Sequence, residues 1–168
     1  SLIYLNELTQ NIYEACGESF NINSPKQLGV ILFEKLELAS SKKTKTGYST
    51  DESVLESLKN EHKVVPLLLK YREAFKLHST YIEPLLELGL KDSENRVFSS
   101  FLHTGTTTGR LSSKNPNLQN IPVGTFSDIQ IRRAFIAQDG YKLVGVDYSQ
   151  IELRLLAHFS KDEALVNA

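Results

Sequence analysis

Apolar residues recur at helical intervals through the first ninety residues of the chain. Leu2, Leu5, Leu8 and Ile12 are spaced as one helix face, and Gly17 follows where that helix should end. A long helix is predicted from about residue 64 to 83, and Pro84 is expected to end or kink it. The pattern therefore predicts a mainly helical first part.

Two serines are placed where helices begin. Ser24, followed by Pro25 and by Gln27 three positions on, has the spacing of an N-cap and a capping box. A second box is predicted from Ser49 to Glu52, before a short helix. The polar stretch between these two helices, residues 39–50, is predicted to be a loop.

The pattern changes after residue 90. Residues 96–102 and 141–146 favour strands, and residues 103–125 are rich in Thr, Ser, Asn, Gly and Pro. A helical part followed by a mixed part predicts an α+β fold.

Residues 142–159 have the pattern of a strand, an acid, a tight turn and a helix. Asp147 directly follows the β-prone residues Val144 and Val146. A carboxylate at the end of a buried strand is costly without a cationic partner, and a divalent metal is one such partner. A turn residue that binds backbone amides explains Asp147 equally well, and spacing alone leaves both interpretations open.

The helix after Asp147 is predicted to begin with a capping box of Ser149 and Glu152. Its apolar face, expected to lie in the core, comprises Ile151, Leu155, Leu156 and Phe159.

Composition restricts the class of protein without identifying it. Among 168 residues, 40% are apolar and 23% are charged, which is typical of a folded domain rather than a disordered chain. The net charge of −1 means that any nucleic-acid surface depends on local clustering of cations. Cys16 is the only cysteine, so an internal disulfide is excluded. No apolar run is long enough to span a membrane.

Two stretches could bind nucleic acid. Residues 106–123 form a long aperiodic segment with Arg110, Asn117, Gln119 and Asn120, whose side chains can donate to minor-groove acceptors. A solvated surface loop is the alternative. Residues 40–46 carry three lysines, which suits phosphate contact or an ordinary cationic loop.

Eight consecutive residues resemble motif A of the family A DNA polymerases: Asp-Tyr-Ser-Gln-Ile-Glu-Leu-Arg, at 147–154. Thr-Gly-Arg-Leu-Ser-Ser at 108–113 and Pro-Asn-Leu-Gln-Asn-Ile-Pro at 116–122 are similar to the segment between thumb and palm in that family. The resemblance implies an α+β fold with a helical thumb subdomain over 1–90, whose basic tip spans 40–47. It implies an incomplete palm over 91–168, the first strand–helix portion, with a minor-groove loop at 104–123.

The resemblance also implies roles for individual residues. Asp147 would be catalytic and, with the backbone carbonyl of Tyr148, would bind the two Mg²⁺ ions expected in the complete enzyme. Glu152 would close the sugar pocket and exclude a ribose 2′-OH. The implied nucleotide-binding residues are Tyr148, Ser149, Gln150, Ile151 and Glu152. The implied DNA-binding residues are Arg110, Asn117, Gln119, Asn120, Lys42, Lys43, Lys45, Arg72 and Lys76.

The implied reaction is the addition of deoxynucleotides to a primer 3′-OH, in DNA replication or repair. The implied partners are primer–template duplex DNA and deoxynucleoside triphosphates, for a monomer without membrane association in the bacterial cytoplasm and nucleoid, or in an organelle. We expect an internal fragment that is inactive alone, because the family's second catalytic carboxylate and fingers helix are not found in these residues. A non-catalytic duplex-binding module is the alternative function, and a helical scaffold that contacts no nucleic acid is a third.

Overall fold

The computed structural model describes residues 2–39, 43–44, 47–124 and 130–167, with the backbone alone at 43 and 44. The chain divides into two compact units, Ser1–Arg132 and Arg133–Ala168, which are described separately. The predicted boundary between thumb and palm subdomains at residue 90 stays a prediction. The mixed, helix-dominated α+β class is confirmed.

The described helices of the first unit follow the apolar spacing closely. They are α1 (Leu2–Cys16), α2 (Pro25–Val30), α3 (Glu52–Ser57), α4 (Val64–Leu77) and α5 (Glu83–Gly89). A π-helical turn extends α2 over Ile31–Lys35, and a second one, His78–Ile82, joins α4 to α5. The predicted long helix therefore continues past Pro84. The wider turn before α5 accommodates a proline ring that an α-helix interior would not.

The helix ends match the predictions in part. Gly17 follows α1 with a φ of 77°, a conformation in which glycine avoids steric strain. Ser24 caps α2, because its hydroxyl oxygen accepts from the Gln27 amide at 3.4 Å. The predicted box at Ser49 is wrong: Asp51 is the N-cap of α3, and the Ser49 hydroxyl donates to the Asp51 carboxylate at 2.8 Å.

One hydrophobic core joins α1 to α4. Leu5, Leu8 and Ile12 of α1 lie in the same cluster as Leu68 and Tyr71 of α4. Among the described apolar residues, those with no exposed surface are Ile12, Leu28, Leu32, Leu55, Val64, Val65 and Leu68. The buried face of α4 thus fixes which of its residues remain on the surface.

The described strands of the first unit are short and antiparallel. β1 (Lys43–Thr44) pairs with β2 (Gly47–Tyr48), and β3 (Ser100–Leu102) pairs with β4 (Ser112–Lys114). The strand predicted over 96–102 is confirmed only for its last three residues. β4 lies within the segment predicted to be a loop. Its Ser-Ser-Lys sequence is polar and has no strand signal of its own, so only pairing with β3 identifies it.

The second unit contains α6 (Ile151–Ser160) and α7 (Glu163–Asn167). The predicted strand over 141–146 is wrong. No described strand pairs with this segment, so its backbone lacks the inter-strand hydrogen bonds that define a sheet. Val144 and Val146 are 83% and 89% exposed. The apolar face of α6 is also exposed, and Ala157 is the one buried residue among those described from 133 onward.

None of the helices in the described part of the chain is long and apolar enough to cross a membrane.

Candidate functional site

The predicted minor-groove loop is a folded segment with hydrogen-bonded turns. The Thr106 hydroxyl donates to the backbone carbonyl of Arg110 at 2.7 Å, and Gly109 between them has a φ of 75°. β4 follows, and a 3₁₀ turn, Leu118–Asn120, comes after it. The chain from residue 106 to residue 120 is therefore held in a defined shape on the β3–β4 ribbon.

The three predicted amide side chains of this loop lie within four residues of one another and are all exposed. Asn117 is the N-cap of the 3₁₀ turn, because its Oδ1 accepts from the Gln119 amide at 3.1 Å. Gln119 Nε2 donates to the carbonyl of Leu111 at 2.9 Å. The exposed Arg110 lies at the other end of the same segment. The structure thus brings together Arg110, Asn117, Gln119 and Asn120 on one short stretch of the first unit.

Arg72 and Lys76 line an open cleft of about 670 Å³ beside α3 and α4. The charged residues that line this cleft are Glu52, Glu56, Lys59, Lys70, Arg72, Glu73 and Lys76. Lys76 is exposed on the last turn of α4. The cleft is therefore mixed in charge.

Arg72 is half-buried, and its guanidinium binds the segment that precedes α3. Its Nη1 donates to the Thr50 carbonyl, and its Nη2 donates to the Thr50 hydroxyl at 3.2 Å. Burial lowers the pKa of Arg72, while the carboxylates of Asp51 and Glu52 act in the opposite direction. Among the described residues, the side chain makes no ion pair with the neighbouring Glu73. The sequence offers no signal for the contact with Thr50.

The predicted basic tip lies largely outside the described residues. Lys42 and Lys45 are not described, and only the backbone of Lys43 is, where it pairs with Tyr48 across β1 and β2. The proposed phosphate contact of these lysines stays a prediction.

The residues that resemble motif A surround the start of α6. Asp147 and Tyr148 lie in a segment without regular secondary structure, Ser149 and Gln150 form a turn, and Glu152 is in the first helical turn. All are exposed. The predicted capping box of Ser149 and Glu152 is wrong: Gln150 is the N-cap, with a φ of 56°, and no side chain caps the helix.

Arg154 holds this turn in place of the predicted box. Its Nε donates to the Ser149 carbonyl at 3.0 Å, and its backbone amide donates to the Gln150 carbonyl at 3.0 Å. The Arg154 side chain thus supports the backbone that directly follows Asp147 and Tyr148.

A metal at this turn would have oxygen ligands. The Asp147 carboxylate and the Tyr148 carbonyl are hard oxygen donors of the kind that Mg²⁺ binds. No cluster of three or more metal-binding side chains is present among residues 2–39, 47–124 and 130–167. The two oxygens of the turn would supply only part of a divalent-metal coordination shell.

Two structural residues of the loop region were not identified from the sequence. Arg132 donates to the carbonyls of Ile121 and Pro122, at 2.9 Å and 3.2 Å, which links it to the end of the loop segment. Ser113, on β4, is buried and bonds to the Asn117 side chain.

Comparison with known proteins gives a consistent match along the chain. The model of the family described as "DNA polymerase family A" matches residues 3–168. The chain is 54% identical over 162 residues to DNA polymerase I of Caldicellulosiruptor bescii, which covers 96% of this chain and 19% of that relative. It is 54% identical over 165 residues to DNA polymerase I of Bacillus subtilis, which covers 98% of this chain and 19% of the relative.

A solved structure is similar over the same extent. It is the POL domain of Pol1 from M. smegmatis in complex with DNA primer-template and dNTP. The TM-score is 0.80 at 42% sequence identity, over 98% of this chain and 29% of the other. This chain therefore spans about a fifth of the length of the curated relatives that it matches.

Proposed function

We propose that this chain, which belongs to DNA polymerase family A, is the thumb and first palm portion of a DNA-directed DNA polymerase. The observation that carries the proposal is the match of 98% of the chain to a polymerase domain that was solved with primer-template and dNTP. The parent protein would add deoxynucleotides to a primer 3′-OH. Its partners would be primer–template duplex and deoxynucleoside triphosphates.

The DNA contact is assigned to the first unit. Arg110, Asn117, Gln119 and Asn120 are exposed donors on a hydrogen-bonded loop, and purine N3 and pyrimidine O2 are acceptors at every base pair. A surface that uses only these shared acceptors grips duplex without reading its sequence. Lys76 and the tip lysines Lys42, Lys43 and Lys45 would add phosphate contacts.

Arg72 is assigned a different role from the one that the resemblance implied. Its guanidinium already donates to two oxygens of Thr50. Its main role is therefore to hold the segment that follows the basic tip against α4. Contact with DNA phosphate would use the guanidinium donors that Thr50 leaves over, since arginine has five.

The nucleotide site is assigned to the turn before α6. The Asp147 carboxylate and the Tyr148 carbonyl would hold Mg²⁺, and such ions activate the attacking oxygen and stabilise the leaving group in phosphoryl transfer. Ser149, Gln150 and Ile151 would line the nucleotide site. Glu152, held on the first turn of α6, would occupy the space that a ribose 2′-OH requires.

The isolated chain is expected to bind duplex and to lack polymerase activity. Asp147 is the one carboxylate that the family resemblance assigns to the metal ions within these residues. The parent protein is proposed to be a monomer of the bacterial cytoplasm and nucleoid, in replication or repair, or an organellar enzyme. A non-catalytic duplex-binding module is the second candidate, supported by the exposed amides of the loop.

Two measurements test the proposal. Fluorescence anisotropy should show binding to primer–template duplexes of unrelated sequence with similar affinity, and log K should fall linearly with log salt concentration. Primer extension with Mg²⁺ should yield no product from this chain. Absence of duplex binding at low salt would contradict the DNA-binding role, and extension by the purified chain would contradict the assignment of an incomplete metal site.

A further inference from the structure

We propose that Ser113 is a positioning residue that turns the Asn117 side-chain amide so that its NH₂ group faces the DNA minor groove. The inference rests on the proposed function, because it concerns how the loop over residues 106–120 presents its donors to duplex.

The hydroxyl of Ser113 is the centre of a small network. It donates to Asn117 Oδ1 at 2.9 Å and accepts from the Gln119 backbone amide at 3.3 Å. The Gln119 amide also donates to Asn117 Oδ1 at 3.1 Å. Ser113 is 6% exposed and lies on β4, paired with Phe101 of β3, so the ribbon determines its position.

This network determines which end of the Asn117 amide faces outward. A backbone N–H can only donate, so the atom that it meets must be the side-chain oxygen rather than the nitrogen. Oδ1 then accepts from both the Gln119 amide and the Ser113 hydroxyl, which occupies its two lone pairs. Among the described residues, Nδ2 of Asn117 has no acceptor. Its two hydrogens are therefore available to a ligand.

The orientation matters because the minor groove presents mainly acceptors. Purine N3 and pyrimidine O2 occur at every base pair, whereas the guanine 2-amino group is the one donor. An Asn117 whose oxygen faced outward would be repelled at most positions and would favour guanine. An Asn117 whose NH₂ faces outward suits all four pairs, as sequence-independent gripping requires.

Gln119 is oriented in the opposite sense. Its Nε2 donates to the carbonyl of Leu111, the residue directly before β4, at 2.9 Å. One Nε2 hydrogen and the Oε1 atom remain for other partners. The two amides therefore present different chemistry, and the serine acts on Asn117.

The test measures the dissociation constant of this chain for primer–template duplexes in which one purine is replaced by its 3-deaza analogue. The analogue removes the N3 acceptor, and each of the last few base pairs before the primer terminus is substituted in turn. We expect one position at which wild-type affinity falls about three- to tenfold, the loss of one hydrogen bond. Asn117→Ala should bind the natural and deaza duplexes at that position with equal affinity.

Ser113→Ala should reduce this discrimination to about twofold, because Asn117 Oδ1 then keeps only the bond from the Gln119 amide and the side chain is held less firmly. Ser113→Cys, similar in size but a weak donor, should behave in the same way, and Ser113→Thr should restore the discrimination. Ser112→Ala, on the same strand, is the matched control that should discriminate as wild type does. The cysteine and threonine variants differ in the donor rather than in the size of a cavity, so they give an answer even if the alanine variant does not fold.

The outcomes distinguish the role of Ser113 from the proposed binding of duplex DNA. If wild type discriminates, Asn117→Ala does not, and Ser113→Cys still does, the role of Ser113 is wrong while duplex binding stands. If wild type binds duplex but no deaza position matters, the outward NH₂ is wrong. If wild type binds no duplex, the proposed function itself fails.

Discussion

Replacement of Arg72 tests whether this residue supports the fold of the first unit. In Arg72→Ala, the Thr50 carbonyl and hydroxyl lose their guanidinium donors. Thr50 is 5% exposed, so water does not readily replace them. In Arg72→Lys, the positive charge remains but the two-pronged geometry is lost.

The expected magnitude follows from these contacts. A buried acceptor left without a donor costs about 1–3 kcal/mol, and a hydrogen bond from a charged donor lies in the upper part of this range. The attraction of Asp51 and Glu52 adds little, because Arg72 is only half-buried and solvent screens it. We expect Arg72→Ala to lower the free energy of unfolding by about 2 kcal/mol, and Arg72→Lys by about 1 kcal/mol.

The assay is thermal unfolding followed by circular dichroism, without DNA. A change of 1 kcal/mol shifts the Tm of a domain of this size by about 2–4 °C. Lys76→Ala is the matched control, since Lys76 lies one turn further along α4, is exposed and has no protein partner among the described residues. Its Tm should stay within about 1 °C of wild type, while its duplex affinity falls.

The result that would refute this reasoning is a Tm of Arg72→Lys and Arg72→Ala equal to that of Lys76→Ala, with duplex affinity reduced in all three. Arg72 would then act through DNA alone, as the family resemblance implied.

Three further predictions concern the core and the helix ends of the first unit. Leu68→Ala, at a side chain with no exposed surface, should cost about 2–5 kcal/mol in urea unfolding, whereas Leu86→Ala, at 60% exposure, should cost less than about 0.5 kcal/mol; equal costs would contradict the assigned core. Burial raises the pKa of Tyr71, although the hydrogen bond from Asn23 opposes this. Because the unfolded tyrosine loses its proton first, the contribution of Tyr71 to the free energy of unfolding is complete below pH 10 and is lost above it. In urea titrations, wild type should therefore lose more stability than Tyr71→Phe between about pH 9 and about pH 11. Parallel losses in the two proteins would contradict the raised pKa. Ser24→Ala removes the N-cap of α2 and should lower the urea midpoint by the equivalent of about 1 kcal/mol, whereas an unchanged midpoint would show that the cap is not needed.

The sequence by itself determined the helices and the family. Helical hydrogen bonds join residues four apart, so the apolar spacing of α1 and α4 was sufficient to place them and to identify their buried faces. The segment over residues 106–123 and the eight residues 147–154 resemble the family through their residue types alone, whatever their three-dimensional structure.

Only the tertiary structure decided the contacts between distant residues. Arg72 binds Thr50, 22 positions earlier, and β4 exists because β3 lies beside it. The segment before Asp147 has the residues of a strand, but no described strand pairs with it, so it does not form a β-strand. The physical reason is that a strand or a side-chain donor makes its hydrogen bonds with a partner elsewhere in the chain. A helix makes its backbone hydrogen bonds with residues four positions away.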